Sequence, residues 1–84
     1  MFHKIKWHYI SEKARNAVFE DLKLFNKRGE QGVKDNNVLE RLFNAYNEYV
    51  AHKYKQTHLG CGSCVSQVKN FFDNEYLKWQ RKES

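Results

Sequence analysis

This sequence contains no proline, four glycines, two cysteines and one methionine in 84 residues. Without proline, no stretch loses a backbone N–H or meets a ring clash, so long uninterrupted helices are favoured. No apolar run approaches the roughly 20 residues that a membrane span needs. The first ten residues, MFHKIKWHYI, carry two lysines and no continuous apolar core, which argues against a secretory leader. Two cysteines without an export signal are expected to stay reduced, as in an intracellular protein. No P-loop, G-x-G-x-x-G or H-E-x-x-H is present, so no enzyme and no small-molecule substrate are expected.

What is present is charge and aromatic surface. Aromatics make up 15% of the residues, and each can bury roughly 150–250 Å². A chain this short needs that area, because a small domain buries a smaller share of its surface than a large one. The formal net charge is +5 and the mean hydropathy is −0.91. Residues 1–28 carry seven Lys/Arg against three acids, residues 29–52 two against four, and residues 53–84 six against three. A phosphate-binding face would therefore have to come from the first and last segments.

The patterning predicts one mainly α domain over 1–84, a three-helix domain with a short N-terminal extended arm or strand over 1–10. In the arm, Ile5, Trp7 and Tyr9 alternate with Lys4, Lys6 and His8, a period of two. Helix one is expected at about 12–28, with Ser11 as its cap, an apolar face from Ala14 to Phe25, and Gly29 closing it. Helix two is expected at about 38–55, capped by Asn37 with Glu40 three residues on, and striped from Leu39 to Tyr54. Helix three is expected at about 63–81, opening at Ser63. Phe2, Ile10, Phe19 and Leu24 find no place on these faces, which points to self-association or a protein partner.

The chemistry concentrates in His58-Leu-Gly-Cys61-Gly-Ser-Cys64. Two sulfurs separated by two residues at a helix start converge on one point, where free N–H groups favour thiolate. Cys61, Cys64, His58 and His52 would complete a four-ligand structural zinc site. Half-buried thiols at an ordinary turn, a redox pair, a disulfide and Cu(I) binding stand as alternatives. A nucleic-acid or partner face is expected from Lys4, Lys6, Trp7, Lys78, Arg81 and Lys82, because KIKWHY and YLKWQRK interleave aromatic and basic residues. Core packing competes for Trp7 and Trp79, which are in phase with apolar faces.

GCGSCVSQV resembles the metal-binding loop of heavy-metal-associated domains. That family requires some fifty residues of βαββαβ fold after the motif, and one helix follows here, so the family is excluded. The layout of residues 38–80 is a tyrosine-rich helix, a polar loop, then C-x-x-C opening a helix. It is similar to small helical C-x-x-C accessory proteins of tailed phages. That resemblance implies a non-catalytic binding protein, virion- or DNA-associated or directed at a host factor, in the host cytoplasm or the virion. With the residue reading it gives a small basic protein with a zinc-held turn. A nucleic-acid-binding module without metal and a thiol redox protein using Cys61 and Cys64 are the other two readings.

Overall fold

The computed structural model describes residues 5–83, with side chains described to Arg81. Three α-helices and two 3-10 turns make up its regular structure: a turn at Lys6–Tyr9, α1 at Glu12–Glu30, α2 at Asn36–Tyr49, a turn at Gln56–Gly60, and α3 at Gly62–Glu83. The described residues contain no strand, and none of their helices is long and apolar enough to cross a membrane.

Each helix starts where local chemistry satisfies its free N–H groups. Ser11 Oγ accepts from Ala14 N–H at 3.1 Å and opens α1, as its sequence position predicts. Asp35, not Asn37, caps α2, its Oδ1 accepting from Asn37 and Val38 N–H at 3.0 and 3.2 Å. Arg28 pairs with the other carboxylate oxygen of Asp35 and ties the end of α1 to the start of α2. Gly29 does not close α1. It lies inside the helix, and Gly32 takes the left-handed conformation at φ 77°. Val33 N–H bonds Arg28 C=O at 2.8 Å and Gly32 N–H bonds Gly29 C=O at 3.0 Å, the Schellman pair of bonds.

The expected α2 runs on to 55, whereas the helix ends at Tyr49. The reason is Asn47. Its Oδ1 accepts from Lys53 and Tyr54 N–H at 3.1 and 2.9 Å, and its Nδ2 donates to Tyr54 C=O at 2.7 Å. This folds residues 50–54 back, so Tyr54 reaches the core from a loop and stacks on Phe43 at 5.4 Å.

The three helices share one core of Val18, Phe19, Leu22, Phe25, Val38, Leu39, Leu42, Phe43, Val68 and Phe72. Early α1 faces late α2, with Ala14, Val18, Ala45 and Tyr49 lining a shared surface cleft. Phe19 meets Tyr76 and Trp79 late in α3, and Asn26 bonds Asp73 nearer its middle, so α1 runs antiparallel to both others. Phe19, expected to lack a home, is buried, and Leu24 and Ile10 pack against the core. These residues therefore do not argue for assembly. Phe2, His3 and Lys4 lie outside the described residues.

The segment expected as an extended arm or strand forms a 3-10 turn at Lys6–Tyr9 that packs on the helices. Trp7 is 3% exposed and Tyr9 is 66% exposed, so the two do not share a buried face. The indole packs on Phe19, Tyr49, Phe71 and Phe72 at 5.2–6.4 Å and so touches every helix.

The two glycines at the end of α1 carry opposite expectations. A Cβ at Gly29 meets nothing within 4 Å, so Gly29→Ala raises stability by about 0.5–1 kcal/mol through helix propensity. Gly32→Ala forces a side chain into left-handed backbone and lowers stability by about 1–2 kcal/mol. Urea denaturation of the two variants checks this, and a shift of the same sign in both contradicts the assigned helix end.

Candidate functional site

Residues 50–61 form a pinned approach to α3. Tyr54 is buried, and its hydroxyl bonds Gln67 Oε1 on α3. Within the second 3-10 turn, His58 Nδ1 accepts from Lys55 N–H at 2.7 Å and Cys61 N–H bonds His58 C=O at 2.9 Å. Lys34 Nζ donates to Leu59 C=O at 2.6 Å, anchoring this turn to the α1–α2 loop.

The first residue after this turn is Cys61. Its carbonyl accepts from Val65 N–H at 3.0 Å, which makes Cys61, and not Ser63, the residue that opens α3. One helical turn on, Cys64 donates its S–H to Cys61 Sγ across 2.7 Å, and Ser63 Oγ lies 3.4 Å from the same sulfur. Both cysteines are free and half-buried.

This arrangement separates the two thiols electrostatically. The hydrogen bond from Cys64, then that from Ser63, then the backbone N–H of Cys64 hold Cys61 down at about 7 against an ordinary 9.0. The same bond pushes Cys64 up, with desolvation and the Cys61 charge adding to it and the Lys53 ammonium opposing weakly. Cys61 is thus the more acidic thiol of the pair, and Cys64 the one that keeps its proton.

Of the four expected zinc ligands, only the two sulfurs come together. His52 is exposed in the bend after α2, not on that helix, and His58 spends Nδ1 inside its own turn. Among the described residues, no three His, Cys, Asp or Glu side chains form a group able to hold a metal ion.

A second feature lies at the far end of α3. Trp7, His8, Arg15, Phe19, Glu75, Lys78, Trp79 and Arg81 line a groove of about 450 Å³. Three of the six residues expected to bind nucleic acid or a partner, Trp7, Lys78 and Arg81, meet here. Trp7 serves as buried floor, donating Nε1–H to Glu75 Oε1 at 3.0 Å. Lys78 Nζ sits 3.2 Å from the other Glu75 oxygen, and His8 Nδ1 lies 4.0 Å from the first. Trp79 is the half-buried aromatic wall, seated on Phe19 and Tyr76. Lys6 points elsewhere and pairs with Glu48 at 3.2 Å. Lys4 and the side chain of Lys82 lie outside the described residues.

Sequence reasoning missed Arg15, Phe19 and Glu75 as groove residues. The available signal was spacing: Arg15 and Phe19 stand four apart on α1, and Glu75 stands three and four before Lys78 and Trp79 on α3, so each set shares a face.

Thiol reactivity reports the unequal pair. Raising pH increases thiolate, so alkylation of Cys61 by iodoacetamide should rise through a midpoint near pH 7, with Cys64 rising only at higher pH. Peptide mass spectrometry after timed quenching separates the two. Equal midpoints near 9 for both thiols would remove the assigned asymmetry.

No family model matches this chain, and no curated protein or solved structure is significantly similar to it.

Proposed function

We propose that this chain is a non-catalytic, small basic binding protein whose groove takes single-stranded nucleic acid. The observation that carries the reading is the meeting of Arg15, Lys78 and Arg81 around the wall formed by Trp79, in one groove built from α1, α3 and the first 3-10 turn. Cations beside an aromatic surface suit phosphate contact together with base stacking, which is tolerant of sequence. The volume matches the roughly 300–1,000 Å³ of small-molecule sites, so one or two nucleotides would sit inside while the rest of the strand passes over the surface. Glu75 is already engaged by Trp7 and Lys78, and Arg15 adds a further cation to the lining. A nucleic-acid-associated role agrees with the resemblance to phage accessory proteins.

Fluorescence anisotropy with a labelled single-stranded oligonucleotide tests this. With three phosphate contacts, the logarithm of the association constant should fall against log salt with a slope of about −2. Arg15→Glu with Lys78→Glu should abolish binding at moderate salt, while Lys27→Glu with Lys55→Glu, which makes the same change of charge outside the groove, should reduce it only slightly. Absence of binding at low salt, or equal losses in the groove and control variants, defeats the proposal.

A further inference from the structure

The groove accounts for the end of α3 but makes no use of Cys61 and Cys64. Two nucleophilic side chains sit half-exposed at the helix start, joined by a 2.7 Å S–H···S contact and supported by a pinned turn. Residues three apart at a helix start have Cβ atoms roughly 5–6 Å apart. A disulfide needs them closer, at roughly 3.5–4.5 Å, and the extended backbone of Cys61, which precedes the helix proper, leaves room for that approach; here the two sulfurs already face each other. Cys64 also packs against the core, whereas Cys61 sits outside the helix proper. The pair therefore has an outer and an inner member.

We propose that Cys61 and Cys64 form a reversible dithiol/disulfide couple that exchanges with low-molecular-weight disulfides, Cys61 attacking and Cys64 resolving. The Cys61 thiolate attacks one sulfur of the small disulfide, whose S–S bond breaks. One thiolate leaves and takes a proton from water. Cys64 gives its proton to solvent, and its sulfur attacks the Cys61 sulfur of the mixed disulfide. The second small thiolate leaves and is protonated in turn. In total the protein dithiol loses two electrons and two protons, and the small disulfide becomes two thiols. Thiol in excess reverses every step.

The order of roles follows from the hydrogen bond. Cys64 donates and Cys61 accepts, so the charge rests on the sulfur at the helix N-terminus. A thiolate fraction near one half at neutral pH, offset by the lower nucleophilicity of a more acidic thiol, makes Cys61 roughly 5–10 times faster than an ordinary cysteine. This couple does not depend on the nucleic-acid reading, since none of the groove-lining residues touches it.

The purified full chain is equilibrated with oxidised and reduced glutathione over a range of ratios, and intact mass is read after acid quench. The expected result is one internal disulfide in a monomeric chain, with no lasting mixed disulfide. Cys64→Ser should stall as the glutathione adduct on Cys61, and Cys61→Ser should react roughly 5–10 times more slowly. Circular dichroism confirms that both variants remain helical, and the wild-type titration stands without them. Four results overturn the proposal: no internal disulfide at any ratio, only disulfide-linked dimers, equal rates for the two serine variants, or a tightly held metal that blocks exchange until a chelator is added. Oligonucleotide affinity is measured on the oxidised and reduced forms in parallel, so a failed groove and a failed couple give separate readings.

Discussion

The structure depends on burying one indole. Trp7 brings its ring into the space between α1, α2 and α3, and a buried indole needs an acceptor for its N–H. Glu75 provides one at 3.0 Å. Without it, the desolvated N–H would cost about 1–3 kcal/mol, a large share of the stability of a domain this small. The bond has a second effect. It holds the Glu75 carboxylate inward, where its other oxygen meets Lys78 and its near side faces His8. The packing of the first turn thereby fixes the electrostatics of the groove.

This dependence divides α3 into two ends with different chemistry. The helix has 22 residues, so its ends stand roughly 33 Å apart at 1.5 Å per residue. Between them, Val68 and Phe72 are fully buried and Asp73 is held by both Asn26 and Lys69. The middle of α3 is thus clamped to α1 and α2. Sulfur chemistry at the start adjoins the pinned loop, and charge at the end adjoins the first turn and α1.

Much of the helical core was legible, because period and caps speak locally. The face of α1 and the Ser11 cap needed only the sequence. The errors came where a side chain acts over a loop. Tyr54 is in phase with the stripe of α2, so periodicity extends the helix to it, and nothing in the pattern shows Asn47 gripping the backbone of residues 53 and 54. Asp35 and Asn37 are both good caps, and the Arg28 ion pair, a tertiary contact, favours Asp35. In the first segment, alternation predicts an extended arm or strand, yet a strand needs a partner and the described residues contain none. A 3-10 turn puts Trp7 inside and leaves Tyr9 out, which no period of two describes. The cysteines were legible as a pair at a helix start. The absence of His52 and His58 from that pair was not, because it depends on where α2 stops and on a turn that consumes His58 Nδ1.

The three helix starts offer a comparison that bears on those sulfurs. Ser11 and Asp35 use oxygen, a good acceptor for backbone N–H groups. Cys61 uses sulfur at the same kind of position, and a neutral thiol is a weak acceptor. Deprotonation removes the deficit, since a full negative charge then meets the positive end of the helix dipole and the N–H groups of Ser63 and Cys64. The reactive form of Cys61 is therefore also the form that caps α3 best. A hydroxyl cap such as that of Ser11 is indifferent to pH and carries no such chemistry, whereas sulfur joins the start of α3 to the protonation and oxidation state of the pair.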